Sequence, residues 1–313
     1  MMLIGVDFLG RLGNQMFTYA FVRALFEQQP TTEKVFVANF KRCGNGEQAG
    51  WGNSLRFFNT LPCVEEHADL ILKYGNRLQR LMYILFYKLC RKIPFSNKKN
   101  FWKRPLQRLL RRKSLHFVGA CDAAYFTNEK YCRVFVRGFF QDRHFFDHIR
   151  PILLKEFTPK HPPLPHNQKL YDIISHPNSV CVHVRRGDYL SHAYRKNFHV
   201  CTFEYYQKAI QTICKQVHNP VFVFFSDDIQ WVRTHMKADG FSCYYERSDN
   251  PVWETLRLMY HCHHFIISNS TFGWWAQYLG NREGKIVISP ARWYANSAWH
   301  SNLINDDFTF IDV

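Results

Sequence analysis

The chain reads as an α/β protein of two domains, each built on a parallel sheet with helices on both faces. Three observations predict this. Beyond residue 167, short apolar runs alternate with helical stripes, the rhythm of successive strand–helix units. The N-terminus opens with the same unit: a strand, a glycine turn and a helix. Between the two regions, residues 158–167 hold four prolines, and 313 residues suit two domains of about 150 each.

In chain order, Leu3 to Asp7 reads as a strand and Phe8 to Gly13 as a turn. From Asn14 onward, Phe17, Ala20, Phe21, Ala24 and Leu25 keep the i, i+3, i+4, i+7 spacing of a helical stripe. The stretch from Cys43 to Lys113 is rich in Asn and Gly and then basic, and no strand is assigned to it. The prolines at 158–167 exclude regular helix or central strand, so this segment reads as the linker between a domain at 1–157 and one at 168–313. A strand near 180–184 precedes a helix marked by Phe203, Tyr206, Ile210, Ile213 and Val217. Strands follow at 220–225, 241–245 and 264–267, with helices near 228–238 and 252–262 and from about 272. Lys285 to Ser289 makes the last strand.

The net charge of +16 suggests a nucleic-acid binder, but its distribution argues otherwise. Residues 77–113 contain 13 Lys/Arg and no Asp or Glu, leaving +3 for the rest of the chain. Leu78, Leu81, Ile84, Leu85 and other large apolar residues are interleaved there, so this helical segment reads as one that lies on an anionic membrane surface. A solvated face of an ordinary helix pair is the alternative. No nucleic-acid module accompanies the patch. No run of 18 uncharged apolar residues and no export signal is present, and the ten cysteines lack CxxC pairs. They read as reduced core thiols of a cytoplasmic protein, peripheral on the inner face of the cell membrane. The 29 Phe, 16 Tyr and 8 Trp supply core first and stacking platforms second.

Three buried strands end abruptly in polar residues, and ligands of open parallel sheets bind outside such carboxyl ends. The first runs into His183-Val184-Arg185-Arg186-Gly187-Asp188-Tyr189. Arginine presents a planar fork suited to phosphate oxygens. Neighbouring arginines diverge, and Arg185 shares a face with His183, so Arg185 is assigned to the ligand and Arg186 to an ion pair with Asp188 or another carboxylate. His183 is either a core histidine or a ligand contact. The second strand ends in Ser226-Asp227-Asp228, where a carboxylate could accept from guanine's paired donors or bind a metal, and Ser226 or Asp227 could cap the following helix. The third ends in Ser268-Asn269-Ser270-Thr271 before a helix whose N-terminal N–H groups suit an anion. Trp274 and Trp275 read as packing. His261-Cys262-His263-His264 straddles a helix end and a strand start, so no metal is assigned there, and no Asp-x-Asp exists. Together the three ends suit a nucleotide diphosphate.

These segments, with Gly10-Arg11-Leu12-Gly13-Asn14-Gln15-Met16-Phe17 and Ser270-Thr271-Phe272-Gly273-Trp274-Trp275, resemble glycosyltransferase family 11, the alpha-1,2-fucosyltransferases. The resemblance implies a GT-B fold, two Rossmann-like domains facing across a cleft. It implies GDP-fucose as donor substrate, no metal or other cofactor, and inverting transfer of fucose to the 2-hydroxyl of a galactose in an oligosaccharide or lipid-linked acceptor. By similarity Arg185 grips the leaving diphosphate, Asn14 sits near the reacting centre from the opposite domain, and His183 joins them as a catalytic candidate. Gly13, Asp188, Ser226, Asp227, Asp228, Asn269, Ser270 and Thr271 complete the donor site. Asp7, Asp188, Asp228 and His183 are the candidate bases. The chain departs from the family at Arg11, where a glycine is usual, and at Gly273, where a serine is usual. Thr255 replaces an acid, with Glu254 one position earlier, which bears on one donor contact. The His-x-Arg-Arg-x-Asp element is shared with alpha-1,6- and protein O-fucosyltransferases, which keeps other linkages open. The rival from another class is a non-catalytic, basic, membrane- or RNA-associated nucleotide-binding protein.

Overall fold

The computed structural model describes residues 2–28, 33–44, 50–92, 115–118, 132–198, 200–296 and 299–313. The chain divides into two compact units. Unit one comprises Met1–Glu47, Trp51–Leu55 and Thr60–Leu153; unit two comprises Gln48–Gly50, Arg56–Asn59 and Leu154–Val313.

Unit one begins with β1 (Met2–Asp7), α1 (Leu12–Gln28), β2 (Lys34–Asn39) and β3 (Val64–Glu65). It continues with α2 (Leu70–Tyr74), α3 (Arg77–Lys92), β4 (Leu115–Val118), β5 (Arg133–Gly138) and α4 (Arg150–Glu156), the last of which runs on into unit two. Its sheet is parallel throughout, in the order β3-β2-β1-β5-β4. The chain moves outward from β1 on one side and returns on the other, so the strand order reverses between β1 and β5. The sequence assigned α1 one apolar face, but it is buried almost all round, from Leu12 and Gly13 to Phe26. A helix apolar on every side has no solvent face to present. Phe21 stacks on Phe140 at 4.1 Å, and Phe17 packs on Phe146 at 5.9 Å. The basic segment assigned to 77–113 is described as far as Lys92; the rest lies outside the described residues.

Unit two contains α5 (Gln168–Ile174), β6 (Ser179–Val184), α6 (His192–Phe198), α7 (Phe203–Cys214), β7 (Val221–Ser226) and α8 (Ile229–His235). Then come β8 (Cys243–Tyr245), α9 (Val252–His261), β9 (His264–Ile266), α10 (Thr271–Leu279), β10 (Val287–Pro290) and β11 (Thr309–Ile311). The order β11-β10-β9-β6-β7-β8 is again all parallel, and it reverses between β6 and β9. All six residues of β6 are buried, as expected for a strand covered by helices on both faces. The α/β expectation of parallel sheets with helices on both faces therefore holds. In this unit β11, which follows Lys285 to Ser289, was not assigned from the sequence, because its three partly exposed residues are too few to show a period.

Residues 158–167 are held by unit two. Glu254, fully buried on α9, accepts from the Leu164 and Asn167 side of this segment at 3.0 Å each, and Arg257 donates to the Pro159 carbonyl at 3.2 Å. Glu254 and Arg257 pair at 3.1 Å. Prolines lack N–H donors, so the segment leaves carbonyls to be satisfied by side chains. Cys43, Cys132, Cys181, Cys201, Cys214, Cys243 and Cys262 are free; Cys43, Cys181, Cys201 and Cys262 are buried, and burial pushes the Cys43 and Cys201 thiols up to about 12.

Candidate functional site

The carboxyl edge of the unit-two sheet is built around β6 and β9. Their register pairs Val182 with Ile266, which brings the residues leaving both strands level with each other. His183 Nδ1 and Ser268 Oγ lie 2.9 Å apart across this junction. Burial, and then the Arg185 charge, lower the His183 pKa to about 3, so the ring is neutral. A Cβ on Gly273 would stand 2.6 Å from His183 Nδ1. The glycine thus makes room for this ring position.

Past β6, Arg185 is clamped by two carboxylates. Its Nη2 meets Asp188 Oδ1 at 2.7 Å and its Nη1 meets Asp227 Oδ2 at 2.9 Å. Two of its five N–H donors are thereby used and the fork is held still. Gly187 permits the clamp, because a Cβ there would lie 2.5 Å from Asp227 Oδ2. Arg186 points elsewhere, as strand-end divergence required. It pairs with Asp228 at 3.3 Å and lies over the Trp231 ring at 3.4 Å. Its carboxylate partner is therefore Asp228; Asp188 serves Arg185.

The helix cap after β7 is Asp228, which accepts from the Trp231 N–H, rather than Ser226 or Asp227. Ser226 Oγ accepts from the Asp228 N–H at 3.0 Å, and Asp227 Oδ1 accepts from the Arg186 N–H at 3.0 Å. Ser270 caps α10 by accepting from the Phe272 N–H, and Thr271 opens that helix. Asn269 is committed to the scaffold: its amide donates to the Phe198 and Trp293 carbonyls at 2.9 and 2.8 Å. Trp274 and Trp275 are fully buried, as packing residues are.

Glu246 was not singled out from the sequence. It follows β8, is buried, and accepts from the Ser226 N–H at 3.0 Å and the Thr255 hydroxyl at 2.9 Å. Burial raises its pKa to about 8, with the Asp227 charge adding to the effect. Thr255 thus serves a carboxylate from the neighbouring strand, while Glu254 belongs to the 158–167 segment. The signal for Glu246 was the same as elsewhere, a buried strand turning polar, but Cys243-Tyr244-Tyr245 is too short and aromatic to be read as one.

Gly13 and Asn14 belong to unit one, in the first turn of α1. Asn14 Oδ1 accepts from Gln141 at 2.9 Å, and its Nδ2 lies 2.5 Å from where a Cβ on Gly10 would be. Gly10 has φ +71°, which glycine alone adopts freely. Asp7, one of the candidate bases, is paired with Arg137 at 2.7 Å, and burial raises its pKa. The histidines at 261, 263 and 264 each meet a different backbone group: Arg257 O, Glu283 O and Ile286 N. Among the described residues no helix is long and apolar enough to cross a membrane.

A family model described as glycosyl transferase family 11 matches residues 3–308. The O-antigen biosynthesis glycosyltransferase WbnK of Escherichia coli is 28% identical over 310 residues, covering 92% of this chain and 94% of that protein. An alpha-1,2-colitosyltransferase of Escherichia coli is 36% identical over 172 residues, 52% of this chain and 57% of its own. The galactoside 2-alpha-L-fucosyltransferase Sec1 of Mus musculus is 33% identical over 167 residues, 50% of this chain and 44% of its own. The match of the family model over nearly the whole length carries the assignment: the chain belongs to glycosyl transferase family 11.

Proposed function

We propose that the protein is an inverting, metal-independent galactoside alpha-1,2-fucosyltransferase, moving L-fucose from GDP-fucose to the 2-hydroxyl of a galactose. The observation that carries this reading is the juxtaposition, at the strand-order reversal of unit two, of the clamped Arg185 with the N-terminus of α10. As the bond from fucose C1 to the phosphate oxygen breaks, negative charge gathers on the diphosphate. A fixed guanidinium and free helix N–H groups stabilise that charge, the work a metal does in other transferases. Asp227 and Asp228 are already matched to arginines, which suits them to positioning or to accepting from a base edge rather than to holding a cation. Family membership and relatives named for alpha-1,2 transfer support the linkage. Acceptor binding is assigned to unit one, where Asn14 lies in the first turn of α1.

The test is transfer from GDP-fucose to lactose by purified protein in excess EDTA, with NMR of the product linkage and competition by GDP and UDP. An α-1,2 product, retained in EDTA and inhibited far better by GDP, is expected. Loss of activity in EDTA with recovery on adding manganese, equal inhibition by both diphosphates, or another linkage would overturn the corresponding part. Turnover only with a colitosyl donor would move the assignment to the chemistry named for the second relative.

A further inference from the structure

Helix α3 turns four large aliphatic residues outward, unlike an ordinary core helix. A surface helix ordinarily buries its apolar stripe and exposes its polar one. Alongside half-buried Met82, which packs on the same apolar core, the α3 residues facing the rest of unit one are Gln79 and Tyr83, 4% and 7% exposed. They are fixed by polar bonds: Tyr83 donates to Asp69 Oδ2 at 2.6 Å, and Gln79 donates to the Arg133 carbonyl at 3.3 Å. The opposite face carries Leu78, Leu81, Ile84 and Leu85, exposed by 46%, 55%, 40% and 52%. Four large aliphatic side chains within eight residues form one patch, since positions 78, 81 and 85 follow helical spacing. The helix sequence adds five Lys/Arg and no Asp or Glu.

We propose that this face of α3 docks on an anionic lipid surface, its leucines entering the headgroup boundary and its cations meeting lipid phosphates and carboxylates. The combination decides the occupant. A second copy of this basic chain would bring like charges together, whereas an anionic bilayer satisfies both the apolar and the cationic residues. Each engaged cation adds about fivefold to the partition. The anchoring through Tyr83 and Gln79 keeps α3 folded whether or not lipid is present, so docking requires no refolding. The inference is independent of which sugar is transferred.

Sedimentation of the full chain with vesicles tests it, using phosphatidylcholine alone and phosphatidylcholine with phosphatidylserine. Binding to the anionic vesicles at low salt, release at high salt, and at least a severalfold loss in Leu81→Ser/Leu85→Ser with unchanged thermal unfolding are expected. Three outcomes overturn it: protein that stays in the supernatant at low salt, binding unaffected by the double substitution, and equal binding to neutral vesicles. Self-association abolished by the same substitution, without vesicle binding, would assign the face to a second copy instead.

Discussion

Both sheets reverse their strand order beside their first strand, and the two units use that reversal point differently. In unit one, Asp7 on β1 and Arg137 on β5 meet across the reversal, with Arg137 also donating to Tyr83 at 3.3 Å and Tyr83 to Asp69. The charges meet at the crevice itself and neutralise each other there. In unit two the crevice is bridged by a neutral pair, His183 and Ser268, and the arginines stand beyond the strand end, held by carboxylates on loops. Asp7 is nearly buried, so its ion pair carries a desolvation cost that only good geometry offsets. Arg185 keeps further donors for an incoming anion. The reversal point is thus closed by charge in one unit and left receptive in the other.

The largest effect should separate these two arginines. Arg185→Ala is expected to lower turnover about a hundredfold or more, the scale of losing a preorganised charge-stabilising donor. Arg137→Ala should instead cost about 3 kcal/mol of stability by leaving Asp7 unpaired, while GDP-fucose hydrolysis per folded molecule stays close to normal. Denaturant unfolding alongside single-turnover kinetics would show this. Near-normal turnover in folded Arg185→Ala, or hydrolysis abolished in folded Arg137→Ala, would break the comparison.

A smaller effect should follow from the clamp. Gly187→Ala forces Asp227 away from Arg185, and activity about tenfold lower is expected, equivalent to about 1.4 kcal/mol in the barrier, with little change in melting temperature. Unchanged kcat/KM would show that Asp227 does not fix the guanidinium. The smallest effect concerns Glu246. Its folded pKa, about 8, lies above the ordinary 4.5, so its contribution to stability is complete below pH 4.5 and is lost as pH rises through 8. Glu246→Gln keeps a neutral group in place, so its melting temperature relative to the parent should rise between pH 5 and pH 8.5. A difference independent of pH would contradict the assignment.

The strand ends at Arg185, Asp228 and Ser270 were legible because a fully buried strand must turn polar where it leaves the sheet. That Arg185 rests on Asp227, 42 residues later, was not, because that meeting depends on the register pairing Val184 with Ser226. Strands β2 and β5 carry apolar runs at Val35 to Ala38 and Val134 to Val136, but each is short and bounded by charge, so neither was read. The outward leucines of α3 were legible as an apolar, basic stretch. Their direction was not, since it is set by polar bonds from Gln79 and Tyr83 that no periodicity encodes.

Residues Arg56–Asn59 fold with unit two although the chain on either side folds with unit one. Phe58 bridges Pro159 and meets the Phe157 ring edge-on at 6.5 Å, while Lys160 donates to the Phe57 carbonyl at 2.8 Å. Unit two is therefore discontinuous in the sequence. A chimera that exchanges everything from residue 154 onward with a relative would leave behind Gln48–Gly50 and Arg56–Asn59, which belong to the transplanted unit. Recombination that exchanges unit two between relatives must carry these short upstream stretches along, or find compatible ones already in place.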